Sequence, residues 1–313
     1  MSKFINPLTD YGWKILFGQE TNKSVLIELL NSLLEGEVVI EDLIYLDKEQ
    51  LPEVPDERMF VYDIYCRTST GEYIIIEIQR ESQEYFKDRA LVYTSAAILK
   101  QAKKGTWIYK LDAVYGIFFL DFRLPENEYE GAVIHVDMTT RKTHRVFNPK
   151  QRQIFISLPA FDLQEDECKT KSDRWIYVLK NMETLDHIPF IDDMPVMRRL
   201  EKTIALTSMD PNQRGLYEAS LKAYRDNYAV ISYKVKKGIE EGMAKGMAKG
   251  IAKGRAEGMT KGIAKGRAEG IAIGEARSQA KLLDTARNLK AAGVATEIII
   301  NATGLSREVI EQL

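Results

Sequence analysis

The sequence predicts a mixed α/β core, with a central sheet flanked by helices, followed by a helical C-terminal extension. Three observations carry this reading. Strand-like runs at Met59–Cys66, Glu72–Gln79 and Ala113–Phe122 lie among helical patterns rather than in regular βαβ alternation. The run Ala113–Phe122, apolar up to Asp121, is of strand length. From Gly238 onward the composition changes abruptly, with glycine at every fourth position.

The elements follow in order. Asn22 to Glu35 reads as a helix, with Val25, Leu26, Leu29, Leu30, Leu33 and Leu34 at helical spacing, Asn22 as cap and Gly36 as stop. A strand over Val38–Leu46 is expected next, then a polar, proline-bearing loop to Arg58. After the hairpin, Gln83–Lys104 reads as a helix closed by Gly105. Gly131–Asp137 and Phe155–Ser157 read as further strands. From Asp173 the chain turns helical, with Trp175, Ile176, Val178 and Leu179, then Tyr217, Leu221 and Tyr224, as a cap packed on the core. The expected organisation is a domain over 1–235, a glycine-every-four segment over 236–277 and a small helical module over 278–313.

The most informative feature is the hairpin. With Arg67–Gly71 as its turn, a fold symmetric about Thr70 pairs Asp63 with Glu77 and Val61 with Gln79. Side chains alternate along a strand, so Asp63, Glu77 and Gln79 share one face. Tyr62, Ile64 and Cys66 with Ile74, Ile76 and Ile78 form the core face. Like charges directly opposite each other destabilise a sheet. Two carboxylates held close call for a shared proton, a basic partner or a metal ion. One reading is a Mg²⁺ site, with Asp63 and Glu77 as ligands, the Ile78 carbonyl as a neutral ligand and Gln79 orienting a water. The other is a solvated sheet face on which the acids pair with Arg80, Lys87 or Arg89. Pattern alone leaves both open.

Bulk properties exclude more than they assign. A net charge of −2 over 313 residues exerts no global pull toward nucleic acid or membrane, so any such binding is local. No segment has the roughly 18 uninterrupted apolar residues of a membrane span, and the N-terminus has no signal-peptide pattern. Cys66 and Cys168 are far apart in sequence, which fits a reducing, cytoplasmic setting. His135, His144 and His187 share no metal-ligand spacing, which argues against zinc.

Ten of the chain's 20 glycines fall at four-residue intervals from Gly238 to Gly274. Each costs a helix about 1 kcal/mol relative to alanine. A four-residue step advances about 40° around a helix, so the glycine stripe spirals and a partner following it wraps right-handed. Lys237–Glu275 carries eight basic and five acidic residues. Three readings stand: a self-associating or partner-binding helix, a partly helical linker, and a DNA-tracking arm. In the tail, Leu282, Leu283, Ala286 and Leu289 line one helix ended near Gly293. Thr296 caps a second over Glu297–Thr303, and Ser306 a third over Arg307–Leu313. With Arg307 as its sole cation, the last helix suits an assembly module better than a groove reader.

The string Asn6-Pro7-Leu8-Thr9-Asp10-Tyr11-Gly12-Trp13-Lys14-Ile15-Leu16-Phe17-Gly18 resembles the opening of the PD-(D/E)XK nuclease family transposases, also called recombination-promoting nuclease or Rpn-like proteins. Val61-Tyr62-Asp63-Ile64, Ile75-Ile76-Glu77-Ile78-Gln79-Arg80 and Arg89-Ala90-Leu91-Val92-Tyr93 follow in order, as do Asp173–Lys180 and Tyr217–Asp226. The resemblance spans about residues 4 to 275 and includes the glycine habit. It implies a restriction-endonuclease-like core that cleaves DNA with Mg²⁺, for which Mn²⁺ can substitute. Asp63 matches the first acid of the motif and Glu77 the second. Gln79 stands where lysine is usual, and Tyr62 where proline is usual, so slow or conditional cleavage is expected.

By the same resemblance Asp10 is an auxiliary site acid; its ordinary role at that position is a helix cap. Lys14, one turn further on, is a candidate phosphate contact or stand-in for the missing cation, against the plainer reading of a surface lysine. Arg89 and Tyr93, at i and i+4, are candidate contacts to DNA or to the site acids, against structural packing. The expected function is a Mg²⁺-dependent DNA endonuclease associated with recombination or mobile elements. The alternative is an assembly or DNA-binding protein with a degenerate site, acting through its glycine repeat and helical tail. Expected partners are DNA and a second copy through residues 238–274, with no membrane.

Overall fold

The computed structural model describes residues 2–50, 60–102, 105, 108–124 and 129–313. The loop before Arg58, the strand start at Met59 and the helix end at Lys103–Lys104 fall outside the described residues. The chain divides into two units, Met1–Tyr228 and Ala229–Leu313.

The first unit is built on a mixed six-stranded sheet. Its strands are β1 (Leu43–Tyr45), β4 (Ile64–Thr68), β5 (Tyr73–Gln79), β6 (Val114–Leu120), β8 (Val146–Ser157) and β7 (Val133–Thr139), in that spatial order. β1, β4 and β5 are antiparallel, β5, β6 and β8 are parallel, and β7 closes the edge antiparallel to β8. A separate two-stranded ladder joins β2 (Glu49–Gln50) to β3 (Phe60–Val61). The expected mixed α/β class is what the chain adopts.

The two sheet faces are covered differently. Ile64, Cys66, Ile74, Ile76, Ile117, Phe119, Ile154 and Ile156 point into the larger core. There they meet α1 (Asp10–Phe17), α2 (Lys23–Leu33), α4 (Lys171–Asn181) and α5 (Pro195–Ile204), whose Trp13, Leu26, Trp175 and Leu200 are buried. The other face is covered by α3 (Phe86–Leu99), with Phe86 and Ala90 packed on Phe118, Leu120 and Phe155. Gly116 permits the close approach of α3: a Cβ there would meet Thr94 Cγ2 at 2.6 Å. Thr94 in turn accepts hydrogen bonds from Gln151 and the buried Gln153 on β8 at 2.9 and 3.0 Å.

The segment before α1 is a built turn. The Leu8 amide donates to Asn6 Oδ1 at 2.8 Å, the Asn6 amide donates to the Tyr217 hydroxyl at 2.8 Å, and the Asn6 side chain donates to Glu183 at 2.7 Å. Gly12 sits so close to this turn that a Cβ would collide with the Asn6 carbonyl oxygen.

Several boundaries differ from expectation. Asn22 does not cap α2; its side-chain NH₂ donates instead to the Ile15 carbonyl at 2.6 Å, tying α2 to α1. The first strand is confined to Leu43–Tyr45, and β8 runs to twelve residues because Val146–Arg152 extends it beside β7. α4 carries a capping box that pattern reading passed over, Thr170 and Asp173 exchanging hydrogen bonds at 3.0 Å. Cys66 and Cys168 are buried free thiols, and burial pushes the Cys66 thiol up to about 12.

α6 spans Pro211–Ala291, and its part up to Tyr228 belongs to the first unit. In the second unit the whole glycine segment is helical, with nothing within 4 Å of a Cβ added at any glycine from Gly238 to Gly274. Isolated charge pairs such as Lys253–Glu257 sit four residues apart on its surface. α7 (Thr296–Thr303) and α8 (Arg307–Gln312) pack Ile299 and Ile310 on Ala286. Ser306 caps α8 as expected, but Thr296 is the first residue of α7 and not its cap. Lys290 closes the other end of α8 by donating to the Ile310 and Glu311 carbonyls, both at 2.9 Å.

Candidate active site

The hairpin has the expected register, with Ile64 opposite Ile76 and Cys66 opposite Ile74. It is not continuous beyond Ile64. The chain bends at Asp63, and Val61 pairs with Glu49 rather than with Gln79. The bend also sends Tyr62 to the α3 side, where its ring meets Tyr65 and Tyr93 at centroid distances of 5.2 and 5.3 Å, so Tyr62 does not join Ile64 on the core face.

That bend creates the site. Because β4 ends at Ile64, the Ile78 amide has no ladder partner and donates instead to Asp63 Oδ2 at 2.8 Å. In return the Asp63 amide donates to Glu77 Oε1 at 3.1 Å. An antiparallel residue directs its amide and carbonyl to the same neighbour, so the Ile78 carbonyl leaves the strand on the Asp63 side. Glu77 and Gln79 are each only 5% exposed. The solvated-face reading is therefore overturned: α3 covers the face on which these side chains stand. Burial, and next the charge of Asp63, push the Glu77 carboxyl up to about 8. Burial also raises Asp63, opposed by the Ile78 amide and reinforced by the charge of Asp10.

Gln79 has its carbonyl oxygen held by the Arg89 guanidinium, which also donates to Gln83 Oε1 at 3.2 Å. The Gln79 NH₂ is the end left to donate. Arg89 lies near enough to Glu77 to favour its ionised form, and stacks 5.8 Å from the Tyr93 ring centroid. Tyr93 is packed between Arg89 and Tyr62.

Asp10 does not cap α1. Thr9 does, its hydroxyl accepting from the Gly12 amide at 3.0 Å. Asp10 is 81% exposed, ion-paired with Arg80, and close enough to Asp63 to raise its carboxyl. Lys14 is exposed on α1 and lies on the site side, since its charge acts on Lys48.

Four residues of the site escaped sequence reasoning as site members. Arg80 donates to the Leu8 carbonyl at 2.9 Å as well as to Asp10. Asp121 follows β6, its amide donating to the Gln79 carbonyl at 2.8 Å and its carboxylate accepting from the Tyr224 hydroxyl at 2.7 Å. Lys48, at the entry to β2, acts electrostatically on both Asp63 and Glu77. Arg80 was legible as the neighbour of Gln79. Nothing in the spacing of Lys48, Asp121 or Tyr224 announces their convergence.

A buried and a half-buried carboxylate with raised proton affinity, one oxygen of each held by a backbone amide, fit a divalent cation that keeps water or phosphate as further ligands. Among the described residues no three His, Cys, Asp or Glu side chains converge as a closed metal cage. A cage of protein ligands is not what Mg²⁺ prefers.

A sheet with Glu77 on β5 and Asp63 at the bend that leads into the adjacent β4, carrying helices on both faces, is the restriction-endonuclease-like α/β arrangement. The family model of the PD-(D/E)XK nuclease family transposases matches residues 7–234, and the chain belongs to that family. The match stops short of Gly238, so the glycine repeat lies outside it, whereas the resemblance was expected to run to about residue 275. No match was found among curated proteins or among solved structures. Among the described residues, no helix is long and apolar enough to cross a membrane.

Proposed function

We propose that this chain is a Mg²⁺-dependent DNA endonuclease that hydrolyses phosphodiester bonds, acting in the cytoplasm in recombination or on mobile elements. The observation that carries the reading is the reciprocal clasp of the half-buried Asp63 and the buried Glu77, two carboxylates whose proton affinities are both raised by desolvation. Asp63, Glu77 and the Ile78 carbonyl are the groups that would hold Mg²⁺, with Mn²⁺ as a substitute. Bound there, the metal would supply Lewis acidity at the scissile phosphate and an acidified water.

The chain's own residues do the rest. Gln79, its oxygen held by Arg89, donates its NH₂ to the attacking water. Asp10 adds a charge at the rim, and its ion pair with Arg80 fixes the start of α1 beside the site. Lys14 and Arg89 supply positive charge toward the DNA backbone. With glutamine in the lysine position of the motif, cleavage is slow or conditional.

The test is nicking of supercoiled plasmid with Mg²⁺ or Mn²⁺. Asp63→Ala and Glu77→Gln should abolish it while retaining the circular dichroism of the parent. Equal nicking by Asp63→Ala sinks the proposal.

A second reading concerns the other unit. Ile239, Met243, Met247 and Ile251 each follow a glycine and are 57–71% exposed. Such a surface suits self-association of residues 238–274, with glycines admitting close helix approach. The assembly alternative, in which the glycine repeat and tail carry the function over a degenerate site, requires full biological activity with Glu77→Gln. On either reading we divide the chain at about residues 235 and 277.

A further inference from the structure

We infer that Lys48 is the active-site cation, donating from its ammonium group to a non-bridging oxygen of the scissile phosphate in place of the lysine absent at position 79. This inference rests on the endonuclease reading above. Lys48 is separated from Asp63 by a proline-bearing loop, so its sequence position carries no motif signal. The fold brings it in. The Tyr62 amide donates to the Lys48 carbonyl at 3.1 Å, and Glu49 pairs with Val61. These contacts dock Lys48 against the residue preceding Asp63, at the bend that forms the acid pair.

Three observations single it out among the nearby cations. Arg89 is committed to Gln79 and Gln83. Arg80 is committed to the Leu8 carbonyl and Asp10. Lys14 is exposed and is not among the charges that chiefly shift Asp63 or Glu77. Lys48 favours the ionised form of both acids, yet among the described residues its ammonium makes no hydrogen bond and no ion pair within 4 Å. It is partly buried, and burial lowers its proton affinity. An ammonium withdrawn from water without a partner is costly. The cost is recovered if a phosphate completes the site.

The chemistry balances as a hydrolysis. The water oxygen forms a new bond to phosphorus, the bond from phosphorus to the leaving deoxyribose oxygen breaks, and the leaving oxygen takes up a proton while the water releases one to solvent. Negative charge grows on the non-bridging oxygens, and a donor fixed there acts on the rate more than on DNA binding.

The experiment uses the full-length chain. Plasmid nicking with Mn²⁺ is measured for the parent, Asp63→Ala, Lys48→Met, Lys48→Gln and Lys48→Arg, and Mn²⁺ affinity by calorimetry for the same proteins. Removing one such donor typically costs about 10²–10³ in kcat. We expect that loss in both neutral variants with KM for DNA nearly unchanged, and partial retention by Lys48→Arg. Mn²⁺ should also bind severalfold more tightly to Lys48→Met, because a positive charge beside the acids is gone, whereas Asp63→Ala loses it.

Parent-level nicking by both neutral variants, with Asp63→Ala inactive, overturns the Lys48 assignment and leaves the endonuclease reading standing. Should the parent bind Mn²⁺ without nicking, unchanged affinity in Lys48→Met overturns the assignment and tighter binding upholds its placement. A parent that neither nicks nor binds metal overturns both.

Discussion

The Tyr224 hydroxyl donates to the Asp121 carboxylate at 2.7 Å, joining the start of α6 to the end of β6 beside Gln79. The Arg80 guanidinium, which also holds Asp10, lies 5.9 Å from the Tyr224 ring centroid. The helical region after Asp173, read from sequence as a plain cap, thus reaches the site through its last turns in the first unit. Burial raises the Asp121 carboxyl, and the Tyr224 hydrogen bond counters that. Tyr224→Phe should remove a donor from a half-buried acceptor and cost about 1 kcal/mol. Urea denaturation reads this directly, and an unchanged midpoint and slope would show that water replaces the hydroxyl.

Metal-free stability should depend on Glu77. Its folded value of about 8 lies above the ordinary 4.5, so the fold favours the protonated carboxyl. The resulting stability is complete below 4.5 and is lost as pH rises through about 8. Melting in EDTA should therefore fall over this window, and Glu77→Gln should flatten the fall. Mg²⁺ should restore the parent above pH 7 and leave the variant unmoved. Equal pH slopes in the two proteins would assign the titration elsewhere.

Thr9 and Asp10 should separate cleanly. Thr9→Ala removes the α1 cap and should cost about 1 kcal/mol. Asp10→Ala removes an exposed ion pair worth about 0–1 kcal/mol, yet should slow metal-dependent nicking. Paired thermal melts and nicking rates check both. A larger stability loss for Asp10→Ala than for Thr9→Ala contradicts the capping geometry.

Gly12→Ala should be among the most damaging small substitutions in α1. Its Cβ meets the Asn6 carbonyl and lies 2.6 Å from Thr9 Oγ1. Neither is the free end of a flexible side chain, so the turn must move, at a cost of about 1–3 kcal/mol. Retained melting temperature would mean that the Asn6 turn adapts.

In the glycine segment the sign of a substitution reports assembly. Gly246, Gly250 and Gly254 have no neighbour within 4 Å of an added Cβ. In a lone helix, replacing the three with alanine should add about 1 kcal/mol per site to helix stability. If helices approach along the stripe, the same triple variant should dissociate the assembly. Sedimentation equilibrium should show an associating parent and a monomeric variant. A monomeric parent removes the self-association proposal.

The hairpin register, the strand within Ala113–Phe122, found at Val114–Leu120, and the helices around Leu26 and Trp175 were readable because period and turn residues are local properties. The acids Asp63 and Glu77 were readable for the same reason: fourteen positions and one short turn separate them. Asp10 was found through the opening string, although pattern assigned it the capping role that Thr9 holds.

By itself, then, the sequence determined which strands pair near Thr70, that two acids meet there, and the family to which the chain belongs. Only the tertiary structure decided that Glu77 is buried and Asp63 half-buried, because burial depends on α3 lying over the face of Glu77 and Gln79. It also decided where the neighbouring charges come from. Arg80 follows directly on β5, and Lys48, Asp121 and Tyr224 join it there from three separate segments. Local propensity reaches only a few residues along the chain, whereas electrostatic environment is set by distance in space, and that distance is fixed only when the whole core closes.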